Sequence, residues 1–124
     1  MNGNPFTDGA CPIDHEHLTD MSAGDTEFEA ELMQEFLRVT PELLAQLAEA
    51  IRSEDFSIME RVAHTLKGSC RSLGARPMSN PCELLEKMGR TAVTDGAQPL
   101  LEEVHGHFAS LSDYIAATWD VRAA

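Results

Sequence analysis

Cations are scarce in this chain: nine Lys and Arg stand against 21 Asp and Glu, a formal charge of −12 at pH 7 over 124 residues. That balance argues against nucleic acid as a partner, because phosphate contacts need clustered positive charge. Cysteines number three, Cys11, Cys70 and Cys82, and form no CxxC pair, so neither a disulfide framework nor a zinc knuckle is indicated. No apolar run approaches the roughly 20 residues that span a bilayer. The first residues, Met1-Asn2-Gly3-Asn4-Pro5, lack the basic and apolar regions of a secretion signal. A cytoplasmic protein without membrane contact is expected. Period-two alternation is missing and β-branched residues do not cluster, which removes strands from the expectation. A GxxxxGK[ST] loop for nucleotide phosphates is also missing.

What remains is helical. Residues 1–24 are rich in Gly, Asn, Asp and Pro, and read as a flexible or weakly helical arm with Ile13, Leu18 and Met21 as its apolar residues. From Thr26 the spacing turns helical, with Thr26 and Glu29 as a capping box and Phe28, Leu32, Phe36, Leu43, Leu44, Leu47 and Ile51 as the stripe. Thr40-Pro41 predicts a kink or a new helix capped by Thr40. A further helix is expected from Asp55 to Leu73, with Gly74 as its stop. Asn80-Pro81-Glu83 reads as the N-cap, first-turn proline and capping acid of the next. Asp95-Gly96 makes a turn, and Pro99 opens a last helix with Val104, Phe108, Leu111, Ile115 and Trp119 inward. Residues 25–121 therefore predict an all-α antiparallel four-helix bundle.

One segment of that bundle carries chemistry. At about 100° per residue, Ile58, Val62, Leu66 and Leu73 share one helix face, whereas His64, Lys67, Gly68 and Arg71 share the opposite one. Lys67, three residues on, lies beside the imidazole. Gly68 leaves the space above the ring empty, although glycine inside a helix costs up to about 1 kcal/mol relative to alanine. Access by a large partner is the compensating gain. The charge pattern converges here too. Residues 61–90 hold six of the nine cations (Arg61, Lys67, Arg71, Arg76, Lys87, Arg90) and two acids (Glu83, Glu86), a net +4 on an acidic chain that suits a phosphoryl group or the acidic pocket of a partner.

Ala63-His64-Thr65-Leu66-Lys67-Gly68-Ser69, followed by Leu73-Gly74-Ala75, resembles the signature of histidine-containing phosphotransfer (HPt) domains, and the helical pattern from about Asp25 to Trp119 has the length and order of that family's bundle. The resemblance implies a phosphorelay carrier. His64 would accept a phosphoryl group on Nε2 from a receiver-domain aspartyl phosphate and pass it to another receiver's aspartate. Lys67 would stabilise phosphoryl charge and Gly68 would give access, with Arg61, Ser69, Arg71 and Arg90 as partner-binding residues. The partners implied are the receiver domains of response regulators and hybrid histidine kinases, which bring their own Mg²⁺. No cofactor or metal of the chain's own, no ATP-dependent activity and a monomer are expected. Glu86 departs from the family, standing where some members carry an uncharged amide. It either repels phosphate or pairs with Lys67, Lys87 or Arg90.

Two other readings compete. A docking bundle could bind receiver domains without phosphotransfer, in which case His64 would be dispensable. A metal-dependent hydrolase could use His15-x-His17 or His105-Gly106-His107, but helical residues i and i+2 do not face each other and no nearby acid or cysteine completes a tetrahedral set. Met33, Met59, Met78 and Met88 read as gap-filling core, as does Cys82, with Cys70 half-buried beside it.

Overall fold

The computed structural model describes residues 12–121, all of whose regular structure is helical. Five helices follow in order: α1 (His15–Ser22), α2 (Thr26–Ser53), α3 (Phe56–Leu73), α4 (Arg76–Arg90) and α5 (Ala97–Trp119). Helices α2 to α5 form a closed antiparallel bundle in which α2 packs on α3, α3 on α4, α4 on α5 and α5 back on α2, while α1 rests on α2 and α3. Cys11 and the first part of the predicted arm lie outside the described residues. Among the described residues no helix is long and apolar enough to cross a membrane.

The helix boundaries follow from capping chemistry. The Asp14, Asp25 and Asp55 side chains accept from the backbone N–H three residues on, opening α1, α2 and α3. Such caps satisfy donors that have no partner within the helix. The predicted capping box at Thr26 is therefore displaced by one residue, and Glu29 is drawn elsewhere. Its buried carboxylate accepts from Ser22 Oγ at 2.6 Å and from Trp119 Nε1 at 3.3 Å. Gly74 ends α3 in the left-handed region at φ 77°, with its N–H and that of Ala75 turned back to Arg71 and Cys70 carbonyls.

Two prolines behave differently from the expectation. Pro41 neither breaks α2 nor starts a helix; it sits inside 28 continuous residues. Thr40 turns its hydroxyl back to the Phe36 carbonyl at 2.6 Å instead of capping, and the buried Phe36, Leu37 and Leu44 hold both halves of α2 on the core. Pro81 likewise lies inside α4, which begins at Arg76 with Pro77 in the first turn, where a missing N–H costs nothing. Asn80 and Glu83 therefore cap nothing.

The core fills the bundle with Leu18, Met33, Leu37, Leu47, Met59, Leu66, Leu73, Met78, Leu85, Leu111 and Ile115, all essentially inaccessible. Full burial of each such side chain contributes about 1.5–3 kcal/mol. On α3, Met59 takes the inward place given to Ile58, which is half-buried. Cys70 and Cys82 are both fully buried, so Cys70 sits deeper than its sequence position suggested.

Candidate functional site

Helices α3 and α4 approach closely because small residues line their contact. Ala63, Cys70 and Cys82 are fully buried there. At Gly89 a Cβ would stand 2.7 Å from the Glu60 nitrogen and 3.0 Å from the Phe56 carbonyl oxygen. The antiparallel register pairs Arg71 with Glu83, Cys70 with Cys82, Lys67 and His64 with Glu86, and Glu60 with Arg90, descending one helix as it climbs the other. The Cys70 thiol is pushed well up by its hydrogen bond with Cys82 and by burial, which leaves it an unreactive packing group.

His64 emerges from this seam with 66% of its side chain exposed, while Glu86 below it is 6% exposed. His64 Nδ1 and Glu86 Oε2 are 2.9 Å apart. Lys67 Nζ lies 2.5 Å from the other oxygen, Oε1, and Arg90 Nη2 lies 3.0 Å from Oε2. Arg90 also reaches Glu60 through Nε at 3.1 Å. The Lys67 ammonium holds the Glu86 carboxyl below its ordinary range against the opposing effect of burial, and the bond to His64 adds to the lowering. An ionised carboxylate can only accept. Nδ1 therefore carries the hydrogen, an assignment fixed by the network, and the lone pair of the neutral ring sits on Nε2. Nε2 makes no hydrogen bond among the described residues. The His64 side chain borders an open concavity together with Ser57, Glu60, Arg61, Thr65 and Glu86.

One turn on, the space beside Gly68 is open, since a Cβ there would meet nothing within 4 Å. The fold itself gives no reason for glycine there. Ser69 faces α2 and lines a shallow, mainly apolar groove with Leu32, Phe36, Val39, Ser72 and Leu73. Arg61 is exposed one turn before His64, and Arg71 is exposed two turns after it, bonded to Glu83 at 3.2 Å. Of the seven residues singled out in the sequence, His64, Lys67, Gly68, Arg61 and Arg71 lie toward one side of α3 and Arg90 joins them from α4, whereas Ser69 turns toward α2.

The basic island is more nearly neutral than its sequence count. Lys67, Arg71, Arg76 and Arg90 pair with Glu86, Glu83, Asp14 and Glu60, two of these acids coming from outside residues 61–90. Arg61 and Lys87 are its cations without an ion pair among the described residues. Sequence reasoning saw Glu86 as a departure and offered its pairing with Lys67, Lys87 or Arg90; the structure pairs it with Lys67 and Arg90, and what the sequence missed is the added contact to His64. The available signal was its spacing: four residues before Arg90 on one helix, on the strand of sequence that pairs antiparallel with His64.

Of the other histidines, His17 and His105 are exposed and His107 is half-buried, while His15 takes part in a ring contact. His15 stacks on Trp119, with ring centroids 5.8 Å apart, and its Nε2 meets the Tyr114 hydroxyl. Among the described residues no three His, Cys, Asp or Glu side chains are grouped to hold a metal ion.

Comparison with known proteins places the fold and the family. Residues 31–118 match the family model described as Hpt domain. Multistep phosphorelay regulator 1 of Schizosaccharomyces pombe is 28% identical over 95 residues, which are 73% of this chain and 32% of that protein; the chain spans about a third of that curated relative's length. The fold matches the crystal structure of histidine-containing phosphotransfer protein B from Pseudomonas aeruginosa PAO1 with a TM-score of 0.82 and 22% identity, covering 88% of this chain and 95% of that one.

Proposed function

The chain belongs to the Hpt domain family, and on that premise we propose that His64 carries a phosphoryl group between receiver domains. The observation that carries the reading is the orientation of the ring: Nδ1 bound to the buried Glu86, Nε2 uncovered, and no atom above Gly68. A receiver's aspartyl phosphate docked over α3 presents phosphorus to the Nε2 lone pair. The nitrogen attacks in line, the bond from phosphorus to the carboxylate oxygen breaks, and the carboxylate departs. The reverse sequence discharges the group to another receiver.

The transition state for such transfers is loose, with charge spread over the phosphoryl oxygens, so positioning and nearby cations supply most of the catalysis. In this reading Lys67 provides that charge from beside the ring, and Gly68 admits the partner. Arg61, Ser69, Arg71 and Arg90 contact the partner, which supplies the Mg²⁺. The apolar groove between α2 and α3 extends the docking face beyond Ser69. The carrier acts as a cytoplasmic monomer and needs no nucleotide site of its own.

The test is to expose the protein to a small phosphoramidate donor and follow it by phosphorus NMR and intact mass beside His64→Gln. The expected result is an acid-labile phosphohistidine in the first sample and none in the second, with transfer to a receiver domain afterwards. A His64→Gln chain that labels equally overturns the assignment. A His64→Ala chain that still performs the protein's whole role by binding receivers supports a docking bundle instead.

A further inference from the structure

We propose that Arg61 is a second phosphoryl-binding residue of the site, closing its guanidinium on the phosphoryl oxygens from the turn of α3 before His64 while Lys67 stays bound to Glu86. This deepens the carrier reading above and rests on it.

The other cations around the ring are committed. The Lys67 side chain is 14% exposed with its ammonium 2.5 Å from Glu86, and Arg90 reaches Glu86 at 3.0 Å and Glu60 at 3.1 Å. For either to close on an incoming anion, the buried Glu86 must give up a partner, which is costly. Arg61 is exposed and has no ion pair among the described residues. Its sequence surroundings explain why. The neighbours of Arg61 on the helix surface, three and four residues to either side, are Ser57, Ile58, His64 and Thr65, and none is acidic.

Helix geometry brings the ring toward that free cation. Helical side chains lean toward the N-terminus of their helix and cover the preceding turn, so His64 leans over the turn that carries Glu60 and Arg61. The open concavity that the His64 side chain borders agrees with this, since Ser57, Glu60 and Arg61 all precede it on α3. Neither Lys67 nor Arg90 lines that space, and Arg61 is the single Lys or Arg that does. Its two lining acids are already held: Glu60 accepts from Arg90, and Glu86 is shared by Lys67, Arg90 and His64. Phosphoryl oxygens seated in this concavity meet one unpaired cation.

An arginine suits the task. Its planar fork donates two parallel hydrogen bonds to phosphate oxygens, and it stays charged at any working pH. Before transfer no unpartnered anion stands beside it, so the contact forms only as phosphorus reaches Nε2. An interaction made only then speeds the chemical step. The Nε2–phosphorus bond forms from the Nε2 lone pair, the donor's bond to phosphorus breaks with its electrons leaving on the donor, and Arg61 neither takes nor gives a proton.

The experiment loads the full chain, Arg61→Gln, Arg61→Lys and Lys87→Gln with phosphoramidate, from which ammonia leaves as the Nε2–phosphorus bond forms. Circular dichroism checks folding, and phosphorus NMR follows the phosphohistidine. A small donor uses no docking surface, so its reaction separates contact with the phosphoryl group from contact with a partner. Arg61→Gln is expected to load about tenfold more slowly, less than the roughly hundredfold or more of a donor lost from a closed site, because Arg61 is exposed and screened. In loaded Arg61→Gln, the pH at which the phosphorus resonance titrates should rise, because a nearby cation favours the more highly charged phosphoryl group. Arg61→Lys should show smaller changes of both kinds. Lys87→Gln, which removes another unpaired exposed charge but one outside the concavity, should match the native chain. Native loading with an unshifted titration in Arg61→Gln overturns the proposal and leaves Arg61 at most a partner contact. Equal slowing in Lys87→Gln overturns it too, by showing a general effect of positive charge. Absence of phosphohistidine in the native chain, from phosphoramidate and from a phosphorylated receiver alike, is a different failure: it removes the carrier reading itself, and this inference with it.

Discussion

Gly89 lies against Glu60 so closely that a Cβ built on it would stand 2.7 Å from the Glu60 backbone nitrogen, whereas a Cβ on Gly68, a few turns along the same pair of helices, would meet nothing within 4 Å. The two glycines therefore answer to different causes. Gly89 is required by the approach of α4 to α3, and so by the placement of Glu86 under His64. Gly68 is required by nothing inside the described chain. Gly89→Ala should destabilise by about 2–3 kcal/mol, since a backbone and not a flexible side chain must move. Gly68→Ala should stabilise by about 0.5–1 kcal/mol through lower chain entropy. Urea unfolding of both, with Gly106→Ala as a second open helical position, checks the contrast. A stability loss at Gly68 would show that its openness is not the reason glycine stands there. A bulky Gly68→Gln should fold normally and transfer poorly.

A pH effect on stability follows from Glu86, whose folded carboxyl titrates below its ordinary value of 4.5 because Lys67 and His64 bind its ionised form. A group lowered in the folded state contributes stability that is fully present above its unfolded value and is lost as pH falls through the folded one. The native chain should thus lose this contribution progressively below about pH 4.5, and Glu86→Gln should lack that component of the fall. Urea midpoints measured from neutral to acid pH for both proteins decide it. Parallel curves would mean that Glu86 is no better held in the folded chain than in the unfolded one.

Cys70 and Cys82 should be silent toward thiol reagents. Both are fully buried, and the Cys70 thiol is raised by its bond to Cys82, so thiolate is scarce and inaccessible. In a Cys11→Ser background the native protein should take up no Ellman's reagent over minutes and two equivalents once unfolded in urea. Rapid native labelling would indicate that α3 and α4 part far more readily than their packing implies.

How far the sequence discloses this structure depends on whether the cause of each feature is local. Asp55 and Gly74 bracket α3 by hydrogen bonds within a few residues, and both ends are legible in the chain. Thr26 and Asp25 are equally good caps, and adjacent equivalent side chains cannot be ranked by pattern. Pro41 and Pro81 have strong local preferences, which the burial of Phe36, Leu37, Leu44, Cys82 and Leu85 on either side overrides. The exposed stripe of His64, Lys67, Gly68 and Arg71 is legible because helical period alone generates it. The role of Glu86 is not, because its value depends on a register between two helices that is set by Gly89, Ala63, Cys70 and Cys82 meeting across the seam. The net charge of residues 61–90 misleads for the same reason: Glu60 and Asp14, distant in that count, are adjacent in space.

The packing of the chain's two ends gives another prediction. Glu29 joins Ser22 and Trp119, and His15 stacks on Trp119, so the end of α5 is bracketed by α1 and the start of α2. Trp119→Phe keeps the stack but leaves the buried Glu29 short of one donor, which should cost about 1–2 kcal/mol. Leu18→Ala, at a fully buried site on α1, should cost about 2–4 kcal/mol. If α1 were only loosely attached, urea midpoints would scarcely move with Leu18.

On the proposed carrier reading Lys67 joins stability and chemistry in one side chain, and the two can be separated. Its side chain is 14% exposed and its ammonium lies 2.5 Å from Glu86. Lys67→Met leaves that buried carboxylate with Arg90 and His64 alone, and should destabilise by about 1–3 kcal/mol, less than the roughly 3–5 kcal/mol of a buried charge with no partner left. Adding Glu86→Leu removes the orphaned charge, and apolar pairs of similar volume commonly replace buried ion pairs at little or no cost. The double variant should therefore return to within about 1 kcal/mol of the native chain, a coupling that a double-mutant cycle in urea measures directly. Phosphotransfer should follow the opposite pattern. The single variant loses the cation beside the phosphoryl oxygens, and the double variant loses in addition the acceptor that orients His64 through Nδ1, so receiver-mediated transfer should fall in the first and fall further in the second while stability recovers. If stability and transfer recovered together, Lys67 would matter only as the counter-ion of Glu86, and the phosphoryl charge would have to be met by Arg61 and Arg90.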